Sequence, residues 1–327
     1  MANNKFLVFW DILKKAGAGF MSDRVLKLSA SLAYYTVFSL GPMLIVIIFL
    51  TNIFFGREAI EGTIYESIKD LVGDAAAIQI QDIIKSAAIS GHGVFAAVAG
   101  VITLIIGASS VFSEMQDSLN QIWGLKVRSN QGWGRMVISR LMSFSIVISL
   151  GFLLLVSLVI NGLMEGFMDK LQQMFPQIAV VLIYGVNLLI TMFIVSFLFA
   201  IIFRILPDAI ISWKDVAWGA IFTGVLFMIG KIGITFYINK TNLGSSYGTS
   251  GSLVILLVWV YYSSVILYFG AEFTKAYAMK LGSEIRPRDY AVAVQIITQE
   301  KEGNTVRQNE EEREASIKRQ PSLHSRS

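Results

Sequence analysis

The sequence contains no cysteine, two histidines and five prolines in 327 residues. Without cysteine there is no disulfide framework, no thiolate metal site and no thiol nucleophile. The two histidines, His92 and His324, lie far apart in the chain. A histidine-built zinc or di-metal hydrolase centre needs several ligands converging on one point, so none is expected, and no cofactor is implied. Charge is scarce as well. Only 15% of the residues are charged, against about 25% in a soluble domain. Hydrophobic residues make up 54%, and the mean hydropathy is +0.62. The length alone allows two globular domains, but this composition indicates a multi-spanning membrane protein instead. The net charge of +4 is modest. It suits a chain facing anionic lipid on one side better than a nucleic-acid binder, whose basic residues cluster on one face.

A membrane helix needs about 20 apolar residues, and six stretches qualify: roughly 30–55, 93–113, 136–160, 178–203, 215–238 and 251–272. The expected fold is therefore all-α, a polytopic bundle of six transmembrane helices. Basic residues set its orientation. Lys5, Lys14, Lys15, Arg24 and Lys27 precede the first span, and Lys126, Arg128 and Arg135 lie between the second and third. Arg204 and Lys214 flank the connection after the fourth span, and Lys275, Lys280, Arg286 and Arg288 follow the sixth. The opposite loops are poorer in base, and in 56–92 acid outnumbers it. Both termini are expected in the cytoplasm.

Residues 1–29 hold no long apolar run, so no cleavable signal peptide is expected. Phe6, Leu7, Trp10, Leu13 and Ala16 or Gly17 share one helical face, which fits an amphipathic helix lying on the membrane or packed on the bundle. In 56–92, Ile64, Ile68, Leu71 and Val72, and then Ile80, Ile83, Ile84, Ala87 and Ala88, keep helical spacing on either side of Gly73-Asp74. A pair of short outer helices is expected there. Residues 286–327 mix Lys and Arg with Glu and end "KRQPSLHSRS". They read as a disordered cytoplasmic tail outside the 30–285 transmembrane domain.

Polar residues inside the spans are the candidates for function. Pro42 lies near the middle of the first span. It removes a backbone hydrogen bond and crowds the carbonyl of Phe38, so a kink is expected. Tyr34, Tyr35 and Ser39 make the inner half of that span polar, either to satisfy freed carbonyls or to wall a cavity. Ala96, Gly100, Thr103 and Gly107 form a stripe of small residues on the second span, and Ala220 and Gly224 do so on the fifth. Such stripes admit another helix closely, within the chain or in a homo-oligomer. The second span runs on as "SSVFSEMQDSLNQIWGLK", with Ser110, Ser113, Glu114, Asp117, Asn120 and Gln121 on one face. That is the pattern of a helix leaving the bilayer, yet acids at such a depth are costly enough to be functional candidates. Lys231 is the basic residue inside a span, placed to snorkel outward. Ser212 and Asp215 form a capping-box-like S-x-x-D before the fifth span. The sixth span closes with "VILYFGAEFTK", which puts Glu272 one turn from Lys275. An i,i+3 ion pair at the water line explains Glu272 at little cost. Topology, however, sets Glu114, Asp117, Asn120, Arg204 and Glu272 at one depth, as a possible polar cluster at the inner mouth.

Three stretches together resemble the YihY/BrkB family of bacterial inner-membrane proteins. They are "ASLAYYTVFSLGPMLIVI" (30–47), "GASSVFSEMQDSLNQIWGL" (107–125) and "YGTSGSLVILLVWVYYSSVILYFGAEFTKAY" (247–277). The resemblance covers roughly 20–285. It implies a six-helix bundle in the bacterial cytoplasmic membrane with both termini inside, and it puts Glu272 within a family motif. The family carries two labels, ribonuclease BN and virulence factor. No histidine-rich metal site and no basic, aromatic-interleaved surface supports the first.

The leading functional expectation is transport, or lipid and envelope handling, with membrane lipids as partners and an ion or a lipid as substrate. A non-catalytic scaffold for envelope proteins is the alternative, resting on the loop 56–92 and the long tail. A membrane enzyme ranks last, because no nucleophile–base pair or metal site is visible. No internal repeat is evident, which counts against an inverted-repeat transporter.

Overall fold

The structure is a computed structural model that describes residues 2–54, 74, 77–78, 94–127, 176–241, 251–283 and 285–294. Six long helices run through them: α1 (Ala2–Ser22), α2 (Val25–Phe54), α3 (Val94–Ile122), α4 (Pro176–Ile205), α5 (Trp213–Thr241) and α6 (Gly251–Leu281). Four short strands complete the set: β1 (Leu125–Val127), β2 (Ala209–Ile210), β3 (Arg286–Pro287) and β4 (Ala291–Ala293). The expected spans 30–55, 93–113, 178–203, 215–238 and 251–272 fall on α2 to α6. The span 136–160, the paired helices of 56–92 and the tail beyond 294 lie outside the described residues.

A helix of 30 residues is about 45 Å long, against a hydrocarbon core of about 30 Å. These helices therefore outreach the apolar layer, and their polar ends carry the connections. Among the described residues three stretches are long and apolar enough to cross a membrane: Leu188–Ile205, Trp213–Ile238 and Leu253–Leu281. Their outward faces are as apolar as their inward ones. Phe193, Ile229, Ile232 and Phe236 are all more than 60% exposed, a pattern that water does not tolerate and lipid favours.

Helix α6 is the central post, packing against α1, α2 and α5, with a lighter contact to α3. Its crossing with α5 has a reciprocal construction. A Cβ on Gly219 would overlap Thr274, and a Cβ on Gly270 would overlap Thr223. Each threonine donates its hydroxyl to the glycine carbonyl one turn earlier on its own helix, Thr223 to Gly219 and Thr274 to Gly270, both at 2.7 Å. The hydroxyls are thus satisfied locally, and the helices close until side chain meets bare backbone. Gly224 faces Ser196 of α4, and Gly107 faces Ser39 of α2 in the same manner. The small residues Gly107, Ala220 and Gly224 are therefore spent on contacts within the chain.

Helix α1 packs on the bundle. Ile12 and Ala16 are buried against Phe273 and Ala276 of α6, while Phe6, Leu7 and Trp10 remain exposed on the other side. Arg24, in a left-handed conformation (φ 53°), turns the chain from α1 into α2. Helix α2 is helical on both sides of Pro42. Thr36 Oγ1 donates to Leu32 O and Ser39 Oγ to Thr36 O, each at 2.8 Å. Tyr34 and Tyr35 are exposed and pack on each other, and Tyr34 packs on Phe38. They form an aromatic cluster on the exposed side of the described helix.

The strands depart from a purely helical expectation, and they shorten the expected tail. β1 pairs with β4, and β2 with β3, both antiparallel. Residues 286–293 thereby return to clip the end of α3 and the α4–α5 connection.

Candidate functional site

The polar residues gather at one end of the bundle. The α1–α2 turn, the ends of α3, α4 and α6, and the start of α5 meet there. Three groups can be distinguished.

The first surrounds Glu272. This side chain is only 2% exposed, so it is not a water-line glutamate, although its expected partner is in place. Lys275 Nζ lies 3.9 Å from Glu272 Oε2 and 3.6 Å from Asp23 Oδ2. Lys275 also donates to the carbonyl of Ile122, at the end of α3. Gln121 Nε2 donates to Asp23 O at 3.1 Å, and Trp123 Nε1 to Ala271 O at 3.2 Å. The α1–α2 turn, α3 and α6 are pinned around the carboxylate in this way. Gly19 explains how it fits: a Cβ there would overlap the Glu272 carboxyl group. Glu272 Oε1 is buried and has no hydrogen-bond partner among the described residues.

The second group centres on Asp208, which is buried. Its carboxylate accepts from Asn120 Nδ2 at 2.8 Å, Tyr290 OH at 2.9 Å and Gln116 Nε2 at 3.1 Å. Asn120 Oδ1 in return accepts from the Asp208 N–H at 2.9 Å, and the Asp208 carbonyl accepts from the Arg288 N–H at 3.0 Å. This one residue joins α3, the α4–α5 connection and the β3–β4 segment. Burial, then the acceptor bond and charge of Asp208, push the Tyr290 hydroxyl above its ordinary value. Nearby Asp117 is exposed and Glu114 half-buried on α3. Loss of water on its protein-facing side, then the charges of Glu114 and Asp208, raise the Asp117 carboxyl.

The third group is basic. Arg204 donates to the carbonyl of Ile211 and lies over the Trp213 ring at 5.5 Å. Arg288 reaches Ile205 O at 3.4 Å and Tyr290 OH at 3.5 Å.

The expected inner-mouth cluster is thus divided. Asn120 belongs to the Asp208 group, Arg204 to the basic group, and Glu272 to Lys275 and Asp23. Among the described residues no ion pair joins Arg204 to Glu114, Asp117 or Glu272. Lys231 is half-buried within α5. The S-x-x-D motif is used in part. Ser212 Oγ caps the N–H of Lys214 at 3.3 Å, while Asp215 turns away to accept from the Ser283 N–H at 2.9 Å and its hydroxyl at 2.7 Å. Sequence reasoning passed over Gly19, Asp23 and Tyr290. It passed over Asp208 as well, for which an acid beside Pro207, in a connection otherwise short of charge, is the signal that could have found it.

Long apolar helices around a buried polar end define a helical membrane protein. The model of the virulence factor BrkB family matches residues 16–293, and the chain belongs to that family. Similar proteins include a UPF0761 membrane protein of Chromobacterium violaceum, 28% identical over 269 residues, 81% of this chain and 61% of that one. Another, from Ralstonia nicotianae, is 26% identical over 267 residues, covering 79% of this chain and 56% of its own. A third, from Haemophilus influenzae, is 23% identical over 269 residues, 81% and 92% of the two chains. This chain spans about three-fifths of the length of the first two relatives. A Bacillus subtilis protein named as ribonuclease-like is 25% identical over 253 residues, 75% of this chain and 86% of that one. No solved structure matches the chain.

Proposed function

We propose that this chain is a multi-pass protein of a bacterial cytoplasmic membrane, crossing it six times with both termini inside, and that it moves or handles a cation or lipid at the cytoplasmic end of the bundle. The orientation rests on the basic residues that flank that end. The observation that carries the function is Glu272, a buried carboxyl group with one weak ion pair and one unpartnered oxygen. An ionised carboxylate in such a place is costly until a proton or a cation completes it. Asp23 and Lys275 beside it form a short polar path toward the surface. The reading is non-enzymatic, since a chain without cysteine and with two distant histidines offers few groups for covalent or metal-assisted chemistry.

The test is reconstitution in liposomes with a pH-sensitive dye inside and imposed proton, sodium or potassium gradients. Wild-type protein is expected to dissipate one of these gradients. Glu272→Gln, which keeps the shape and removes the charge, is expected to stop that flux with no loss of folding. Flux unchanged in Glu272→Gln sinks the reading.

A further inference from the structure

The third group lines an open cavity that the Glu272 reading does not use. It has a volume of about 690 Å³ and is lined by Arg204, Trp213, Arg288, Asp289 and Tyr290, with Ile205, Ala209 and Ile210 at its apolar edge. That volume lies within the range of small-ligand sites, about 300–1,000 Å³. We propose that this cavity binds a phosphate group, and specifically the phosphate of a glycerophospholipid in the adjoining leaflet.

Four observations converge on that chemistry. First, two guanidinium groups line one cavity, and among the described residues neither has a carboxylate within ion-pair distance. Asp289 shares the lining but pairs with neither. Second, Arg204 is held in place. One of its nitrogens donates to Ile211 O, and its guanidinium carbon lies 5.5 Å from the centre of the Trp213 ring. A guanidinium has five N–H donors, so most of the fork remains to be used, already oriented. Planar bidentate donors of this kind match phosphate oxygens. Third, the depth is right. Arg204 is in the last turn of the Leu188–Ile205 span, and Trp213 is the first residue of the Trp213–Ile238 span. A cavity between two span ends lies at headgroup level, where tryptophan is also favoured. Fourth, the apolar edge is open to the surroundings: Ile205, Ile210 and Trp213 are 39%, 52% and 54% exposed. A free anion has no use for these side chains, whereas the glycerol and first acyl carbons of a lipid would cover them.

The experiment uses the full chain purified in mild detergent, with bound phospholipid counted by native mass spectrometry during titration with phosphatidylglycerol. Wild-type protein is expected to hold one lipid that survives activation in the gas phase. Arg204→Gln or Arg288→Gln is expected to weaken that occupancy about tenfold, the scale of one lost charge-assisted pair. Lys126→Gln removes an exposed charge of the same sign that does not line the cavity and is expected to leave it unchanged. Thermal unfolding of each variant separates lost binding from lost folding. Should Arg204→Gln unfold, Arg288→Gln carries the test, because the backbone N–H of Arg288 still serves Asp208. Excess inorganic phosphate identifies the source. No competition supports the lipid; full competition with the same arginine dependence keeps the phosphate site but overturns the lipid assignment. Equal occupancy in wild type and both arginine variants, or an equal loss in Lys126→Gln, overturns the proposal altogether.

Discussion

At the scale of single residues, burial separates acids that look alike in sequence. Asp208 and Asp117 are both carboxylates near the same bundle end, yet Asp208 accepts three side-chain hydrogen bonds in the interior and Asp117 faces outward. Asp208→Ala leaves the buried Asn120 amide without its acceptor. It is expected to cost about 3 kcal/mol in denaturant unfolding, while Asp117→Ala changes stability by less than about 0.5 kcal/mol. Gly19 and Glu272 should be coupled. Gly19→Ala drives a methyl into the carboxyl group and is expected to cost about 1–3 kcal/mol. In the Glu272→Ala background most of that cost disappears, a non-additivity that a double-mutant cycle measures directly. Tyr290 gives the pH dependence. Its folded value is raised above the ordinary one near 10, so the folded state holds the proton more tightly. The stabilisation is complete below about pH 10 and fades as pH rises through the folded value. Stability measured from pH 9 upward should fall more steeply for wild type than for Tyr290→Phe.

Among the elements, the helices were legible and their neighbours were not. Runs of about 20 apolar residues announce α2 to α6, because lipid exposure leaves little room for polar side chains. Depth was legible too: Glu114, Arg204 and Glu272 do lie at one end. Azimuth was not, since hydropathy along a chain carries no information about which helices adjoin. Arg204 turned toward Ile211 and Trp213 on its own connection, and Glu272 toward the α1–α2 turn. The closest crossing was also hidden. Gly219 and Thr223 sit one residue from the noted Ala220 and Gly224, and only contact shows which pair meets α6. Gly270→Leu is expected to separate α5 from α6 and lower the unfolding midpoint, whereas Gly233→Leu, with open space at its Cβ position, should be neutral. The strands were missed because two or three residues make no period, and a mixed-charge segment reads as tail. Ending the chain after residue 294 should therefore preserve stability, and ending it after 285 should not.

At the largest scale, among the described residues the end of the bundle that holds Asp208 and Glu272 is polar and tied, while the helix flanks carry exposed apolar side chains. That asymmetry gives a test of topology which the absence of cysteine makes simple. Single cysteines at Lys126, Lys214 and Lys280 should react with an impermeant maleimide on the cytoplasmic side, and one at Lys240 on the opposite side. A reagent pattern with Lys240 on the same side as Lys214 contradicts the crossing of α5.

The Asp208 junction has a consequence for biosynthesis. β4 and Tyr290 are translated after every described helix, yet they complete the bonds that hold the end of α3. Until they arrive, that end lacks its last strand and one of its hydrogen-bond donors. This end of the bundle is closed by a segment made after every described helix, so a nascent chain halted before Tyr290 presents an unfastened end on which membrane proteases can act. A completed chain does not.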